Sequence, residues 1–181
     1  QTGTGGFTQP AFTTSDRSSA DIRTGTILFL GNTLRVMPGR VLLTNQYQPN
    51  SLLRGNIQLT QTIQGGGVIS VGGGAGNPSV AINSRGSIKL DGTVKTSSSS
   101  GDGGAITLNA ANGNITTGSM NSQAGGTGNS GNITLTSNAG AIDTTKGDIT
   151  SQIRENSNGT GRAGTIVFTA KDNIQTASLN A

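Results

Sequence analysis

The 181-residue chain has no cysteine, no histidine and no tryptophan, and only one tyrosine. Without cysteine no disulfide can staple the fold, and the compartment is left open by that fact. Without cysteine or histidine, neither a Ser/His nor a Cys/His nucleophile can be assembled. Aromatic residues make up 3% of the chain and no basic run is present, so the interleaved cations and rings of a nucleic-acid surface are missing. No stretch approaches the length of a membrane-spanning helix and no signal peptide is visible, so membrane insertion is not expected. Apolar residues are also scarce, at 30%, against 30 glycines. By composition alone such a chain reads as disordered.

Phasing argues the other way. Between Gly104 and Thr150 one phrase occurs twice. Gly104-Ala105-Ile106-Thr107-Leu108-Asn109-Ala110-Ala111-Asn112-Gly113-Asn114-Ile115-Thr116-Thr117-Gly118 is answered by Gly131-Asn132-Ile133-Thr134-Leu135-Thr136-Ser137-Asn138-Ala139-Gly140-Ala141-Ile142-Asp143-Thr144-Thr145. Each copy has apolar residues two apart, then an Asn/Ala/Gly corner, then a second short strand centred on Ile115 or Ile142. A shorter copy runs from Gly86 to Val94, and a fourth from Gly164 to Ile174. The leading isoleucines are read as Ile88, Ile106, Ile133 and Ile166, giving a constant head and a variable tail.

A unit this short cannot bury its own apolar face and has to stack on its neighbours. No window shows the apolar stripe of a helix, and Gly and Asn interrupt every candidate. The expectation is an all-β parallel β-helix, a single-stranded solenoid whose equivalent strands pair about 4.8 Å apart along the axis. Its inward ladder would be Ile88, Ile106, Leu108, Ile115, Ile133, Leu135, Ile142, Ile149, Ile166, Phe168 and Ile174. Thr107, Thr134, Thr136, Thr165 and Thr169 would alternate outward, where a β-branched hydroxyl residue suits a wet strand. Glycine and asparagine at the corners are expected to supply positive φ. The polar tails, Ser97 to Gly103, Ser119 to Ser130 and Glu155 to Arg162, are read as excursions that can leave the coil.

Three segments follow. Residues 1–20 read as an extended N-terminal arm carrying Phe7, Phe12 and Arg17. Residues 21–64 hold richer strands over Thr26 to Leu30, Leu34 to Met37, Arg40 to Leu43 and Gly55 to Thr60, as divergent first coils or a β-cap. Residues 65–181 form the repeat coils, and Ile174, Ala177 and Leu179 continue the pattern almost to Ala181 without a covering element. An uncapped β-edge is a template for pairing. Charge is uneven along the rod: seven basic residues face two acidic ones up to position 90, and five face six beyond it. That asymmetry suits head-to-tail contact. Phe7, Phe12, Arg17, Arg23, Ile174 and Leu179 are the candidate assembly contacts.

Catalysis on a β-helix needs paired carboxylates on neighbouring rungs. Asp143 with Asp148, and Asp91 with Lys89, are the clusters available, and each also reads as turn chemistry. Gly73-Gly74-Ala75-Gly76-Asn77-Pro78 loosely resembles a calcium-binding nonapeptide but lacks its Asp ligand and its tandem copies. No metal or cofactor is therefore expected, and no enzyme activity. An ice-binding face would need a regular Thr-x-Thr ladder, of which Thr134 and Thr136 form one rung. Asn114, Asn132 and Asn158 head glycosylation-type sequons, two of them within the repeated Asn-Ile-Thr phrase itself.

The phrases over 131–144 and 113–118, with the Ser/Gly tails between them, resemble the repeat region of filamentous haemagglutinin-like exoproteins, especially the Gly/Asn/Thr-rich forms of filamentous cyanobacteria. That resemblance spans 86–181 and implies a right-handed β-helix, cysteine-free, secreted or at the cell surface, used in adhesion or filament formation. The chain opens at Gln1 rather than methionine, which fits a processed or fragmentary product. The functional expectation is an extracellular structural subunit that stacks end to end into filaments or sheath fibrils, with further copies, surface glycans or other cells as partners. A piece of a longer monomeric adhesin is the runner-up, and a carbohydrate-active β-helix enzyme the third reading.

Overall fold

Strict alternation along Ala105–Ala110 puts Ile106, Leu108 and Ala110 inside at 0% exposure, while Ala105 and Thr107 face solvent. A strand with one apolar face gains stability only by pairing and by burying that face. It pairs in parallel on both sides with its own equivalents from the preceding and following repeats. The computed structural model carries this through the chain as a β-solenoid in which every regular element of the described residues is a strand. It describes the strand backbone of residues 19–23, 27–29, 34–36, 40–44, 63–65 and 69–71, and, in full, residues 79–84, 86–154 and 160–181. The fully described part makes up about four turns.

Each coil contributes three strands rather than the two legible in the repeat. The first coil is β1 (Ser19–Arg23), β2 (Ile27–Phe29) and β3 (Leu34–Val36), and the second is β4 (Arg40–Thr44), β5 (Ile63–Gly65) and β6 (Ile69–Val71). The third is β7 (Ser79–Ser84), β8 (Ile88–Leu90) and β9 (Val94–Lys95). The fourth is β10 (Ala105–Ala110), β11 (Ile115–Thr117) and β12 (Met120–Asn121). The fifth is β13 (Ile133–Ser137), β14 (Ile142–Thr144) and β15 (Ile149–Thr150), and the sixth is β16 (Ile166–Ala170), β17 (Ile174–Thr176) and β18 (Leu179–Asn180). First strands stack on first strands, second on second and third on third, giving three parallel sheets of six.

Register fixes the core as columns. Ala20, Val41, Val80, Ile106, Ile133 and Ile166 form one, and Ile22, Leu43, Ile82, Leu108, Leu135 and Phe168 the next. Ile27, Ile63, Ile88, Ile115, Ile142 and Ile174 form the column of the second sheet. Ile88 therefore belongs with Ile115 and not at the head of its repeat, where Val80 stands. The phrase Gly86-Ser87-Ile88 matches Gly113-Asn114-Ile115, because both the first and second strands open on Gly-x-Ile. Ile88, Ile106, Leu108, Ile115, Ile133, Leu135, Ile142 and Ile149 are all at 0–1% exposure. Each such side chain contributes about 1.5–3 kcal/mol by its burial.

The inward parity does not stop at the apolar residues. Thr117 and Thr144 follow their isoleucines by two and are buried at 1% and 0%, as are Ser84, Ser122, Ser137, Ser151 and Thr96. Most of these hydroxyls have work to do at the corners: Ser137 Oγ donates to the Gly113 carbonyl at 2.7 Å, and Thr96 Oγ1 to that of Gly104 at 2.6 Å. Thr117 and Thr144, neighbours in register, have hydroxyls with no partner.

The tails of residues 97–103 and 119–130 stay on the coil. The necks are pinched where Gly104 N–H donates to Thr96 C=O at 2.9 Å, Gly131 to Ser122 at 3.0 Å and Gly164 to Ser151 at 2.8 Å. Ser122 Oγ returns a bond to Gly131 C=O at 2.7 Å, and Ser151 Oγ reaches that same carbonyl at 2.7 Å. The tails also stack: Ser98 N–H donates to Gln123 C=O, and Ser130 N–H to Arg162 C=O, both at 2.9 Å. Residues 97–103 and 119–130 thus extend the ladder.

Corner chemistry differs from expectation in its cause. Among the described glycines only Gly126 has positive φ, at 61°. Several others are required by close approach: a Cβ on Gly118 would lie 2.5 Å from the Gly92 carbonyl oxygen and 2.8 Å from that of Asp91. One coil's corner rests on the backbone of the one before. Asparagine serves as a bridge between rungs, with Asn114 Oδ1 accepting Ala141 N–H, and Asn132 Oδ1 accepting Thr165 N–H, each at 2.9 Å. This accounts for the two Asn-Ile-Thr phrases.

The proposed arm of residues 1–20 overlaps the first coil, since Ser19 and Ala20 lie in β1 and pair with Arg40 and Val41. The strand expected over Gly55 to Thr60, the glycine passage over 73–78 and Asn158 lie outside the described residues.

Two substitutions check this account. Gly118→Ala forces backbone apart and is expected to lower stability by about 1–3 kcal/mol, read as a fall in thermal midpoint by circular dichroism. Thr144→Val keeps the side-chain shape and removes an unpartnered buried hydroxyl, so the urea midpoint should rise by the equivalent of about 1 kcal/mol with its slope unchanged.

Candidate functional site

The least satisfied surface of the described residues is the outer face of the sixth coil. In the fully described coils, inward residues donate their N–H groups to the coil that follows. Ile88 bonds the Asn114 carbonyl, Ile115 that of Ala141 and Ile142 that of Asn173, at 2.9, 2.9 and 3.0 Å. In the sixth coil this direction has no following rung in the structure, and β16, β17 and β18 each pair on one side only. Inward side chains that would be buried one coil earlier are uncovered: Ile174 is 45% and Leu179 47% exposed, and Ile166 and Phe168 are only partly buried. With outward-facing Val167 at 43%, these are the exposed large hydrophobic residues of the described part.

Of the candidate assembly contacts, Ile174 and Leu179 thus share this rung, in adjacent sheets. Arg23 ends β1, in register with Thr44. Phe7, Phe12 and Arg17 lie outside the described residues. Ile166 and Phe168, read from the sequence as core, are partly buried and pack against the core cluster.

The acidic candidates separate into two places. Asp91 and Lys89 are joined by Lys146, two coils away, whose Nζ lies 2.6 Å from Asp91 Oδ1, while Lys89 Nζ lies 3.8 Å from Oδ2. Lys146 stands in the longer corner between β14 and β15 and reaches across the short Gly118-Ser119 corner of the coil between. The hydrogen bond from Lys146, reinforced by both ammonium charges, holds the Asp91 carboxyl below its ordinary range. Only an alignment of whole coils would have found that pairing.

Asp143 points outward on β14, between Thr116 and Gln175 in register. Its Oδ1 accepts the Thr145 hydroxyl at 2.6 Å and the Thr145 N–H at 2.9 Å, and these two bonds lower its pKa. Asp143 also lines a shallow groove of about 250 Å³ with Asn114, Thr116, Asn173 and Gln175. It is the single carboxylate in that groove, and Asp148 is not part of its lining. Amide, hydroxyl and carboxylate groups there can hydrogen-bond a polar ligand, whereas a carboxylate pair for acid/base chemistry is not assembled.

Searches against family models, curated proteins and solved structures find no match to this chain. The reading of function therefore rests on the rod and its open end.

The Asp91 pairing gives a pH test. Because the folded carboxylate is held below its unfolded value of about 3.9, its stabilisation is present above that pH and is lost as pH falls through the folded value. Asp91→Asn and Lys146→Met should each flatten the acid limb of a stability-against-pH curve below about pH 4, and the double variant should add nothing further.

Proposed function

We propose that this chain is an extracellular or cell-surface structural protein, a β-solenoid subunit that assembles end to end into filaments or sheath fibrils, with adhesion as a consequence of the fibre's surface. One observation carries the assembly half: the sixth coil offers three open strand edges and four inward apolar side chains, Ile166, Phe168, Ile174 and Leu179, to whatever comes next along the axis. Exposed parallel edges with apolar residues at ladder positions pair readily. A second copy of the chain offers strands of the same spacing. The extracellular half rests on the likeness of residues 86–181 to filamentous haemagglutinin-like repeats.

The same edge would fit a further coil of a longer monomeric adhesin. Electron microscopy and light scattering of the 181-residue chain separate the two. Fibres one solenoid wide support self-assembly, and a monodisperse monomer at all concentrations removes it. Ile174→Lys with Leu179→Lys places ammonium groups where the next coil would bury them, at a cost of several kcal/mol. That variant should keep its β-sheet circular dichroism and form no fibres.

A further inference from the structure

The corner that joins β10 to β11 holds a pair of residues that the ladder leaves untied. We infer that this pair, Asn112-Gly113, is a self-modification site, at which the folded rod converts its own asparagine through a cyclic imide into aspartate and isoaspartate. The site is independent of how copies of the chain assemble.

Three residues separate Ser84 from Ile88 in the third coil, whereas four separate Ala110 from Ile115 in the fourth. The extra length lies between two anchors. Ala111 N–H donates to Ser84 C=O at 2.9 Å, and Asn114 N–H to Ser87 Oγ at 3.1 Å. Between them, the Gly113 N–H and the exposed Asn112 side chain find no hydrogen-bond partner among the described residues.

Among the described asparagines, Asn112 alone precedes glycine. Asn114, Asn129 and Asn132 each have Oδ1 tied to an N–H of the following coil, at 2.9, 3.0 and 2.9 Å. The corner of the fifth coil, between Ser137 and Ile142, has the same length and keeps the glycine as Gly140, but Ala139 stands where the fourth coil has Asn112.

The reaction needs only the chain and water. A solvent base takes the Gly113 amide proton, and the Gly113 nitrogen bonds to Asn112 Cγ to close a succinimide ring. The Cγ–Nδ2 bond breaks and the amino group leaves as ammonia, taking up the proton. Water then opens the ring at either carbonyl. Opening at Cγ gives aspartate, and opening at the backbone carbon leaves the chain running through Cβ and Cγ as isoaspartate. Glycine favours ring closure because no Cβ shields its nitrogen and its backbone turns freely.

Isoaspartate lengthens the chain by one carbon between the two anchors, and the neighbouring coils leave no room for it. A Cβ on Gly113 would strike Ser87 Oγ and lie 2.7 Å from Ser87 N, and one on Gly140 would lie 2.9 Å from the Gly113 carbonyl. The longer corner therefore moves outward. The bonds that go with it are Asn114 N–H to Ser87 Oγ, Ser137 Oγ to Gly113 C=O at 2.7 Å, and Ala141 N–H to Asn114 Oδ1 at 2.9 Å. Modification thereby unties the corner from the coils on both sides.

The test uses the 181-residue chain carrying Asn158→Gln, which removes its other Asn-Gly pair. The folded protein is aged in mildly alkaline buffer beside a guanidinium-unfolded sample as positive control. Peptide mapping by mass spectrometry should show a gain of about 1 Da at position 112 in the folded chain, ahead of every other described asparagine and as a mixture of the two isomers. Hydrogen exchange at the Ala141 amide should speed several-fold in the aged protein. Asn112→Gln, whose longer side chain closes a ring far more slowly, should lose both changes. A folded chain that keeps its amide at position 112 overturns the inference, whether or not the unfolded control converts there, and so does earlier conversion of another described asparagine. Conversion to isoaspartate at position 112 with Ala141 exchange unchanged overturns the untying of the corner while leaving the site.

Discussion

The parallel backbone hydrogen bond between successive coils is the constraint from which the rest of the molecule follows. It holds equivalent strands at one spacing, so every residue meets the same position of the coil before and the coil after. An isoleucine stacked on an isoleucine fills its column without strain, which is why a chain with few apolar residues can still build a continuous core. The core is thin, but it is never interrupted. Contacts are made mainly between neighbouring coils, and stability accumulates coil by coil.

That spacing also governs the corners. Where the chain turns, one backbone lies on another with no room for a Cβ, and glycine is needed at Gly118 for that reason rather than for its range of φ. Asparagine occupies places where the corner's N–H groups would otherwise lack acceptors, as Asn114 and Asn132 show. Buried serine and threonine hydroxyls tie the necks of the tails to the rod, so polar residues inside the coil serve the same ladder as apolar ones. Asparagine, glycine and serine, which make the composition look disordered, are the residues that the corners and necks require. In the first coils the corresponding columns hold Val36 and Val71 in place of hydroxyl residues, in register with each other.

The geometry of the sixth coil's outer face is set by the interior of the rod. The groups that bond the next coil are present on the sixth coil as on every other, and so are the side chains that would pack against it. Ile174 and Leu179 are exposed because of their place along the axis, not because of a different local sequence. Such a surface is complementary to a rung that repeats the columns.

Much of the architecture was legible. Alternation in Ile106-Thr107-Leu108 and Ile133-Thr134-Leu135 is a local property of an extended chain, and so the choice of strands, their inward faces and the stacking of repeats could be read directly. The same parity, carried two residues further, marked Thr117, Thr144, Ser122 and Ser151 as inward, although their polarity disguised them. Tertiary structure decided the rest. Whether Ile88 joined the column of Ile106 or that of Ile115 depended on corner lengths, which local pattern does not encode. The Lys146 to Asp91 bridge, the pinched tails and the crowding at Gly118 all arise between residues far apart in the chain, brought together only once the coils have closed. Periodicity along a strand is set by the covalent backbone, whereas column membership and approach distance are set by how each coil comes to rest on the one before.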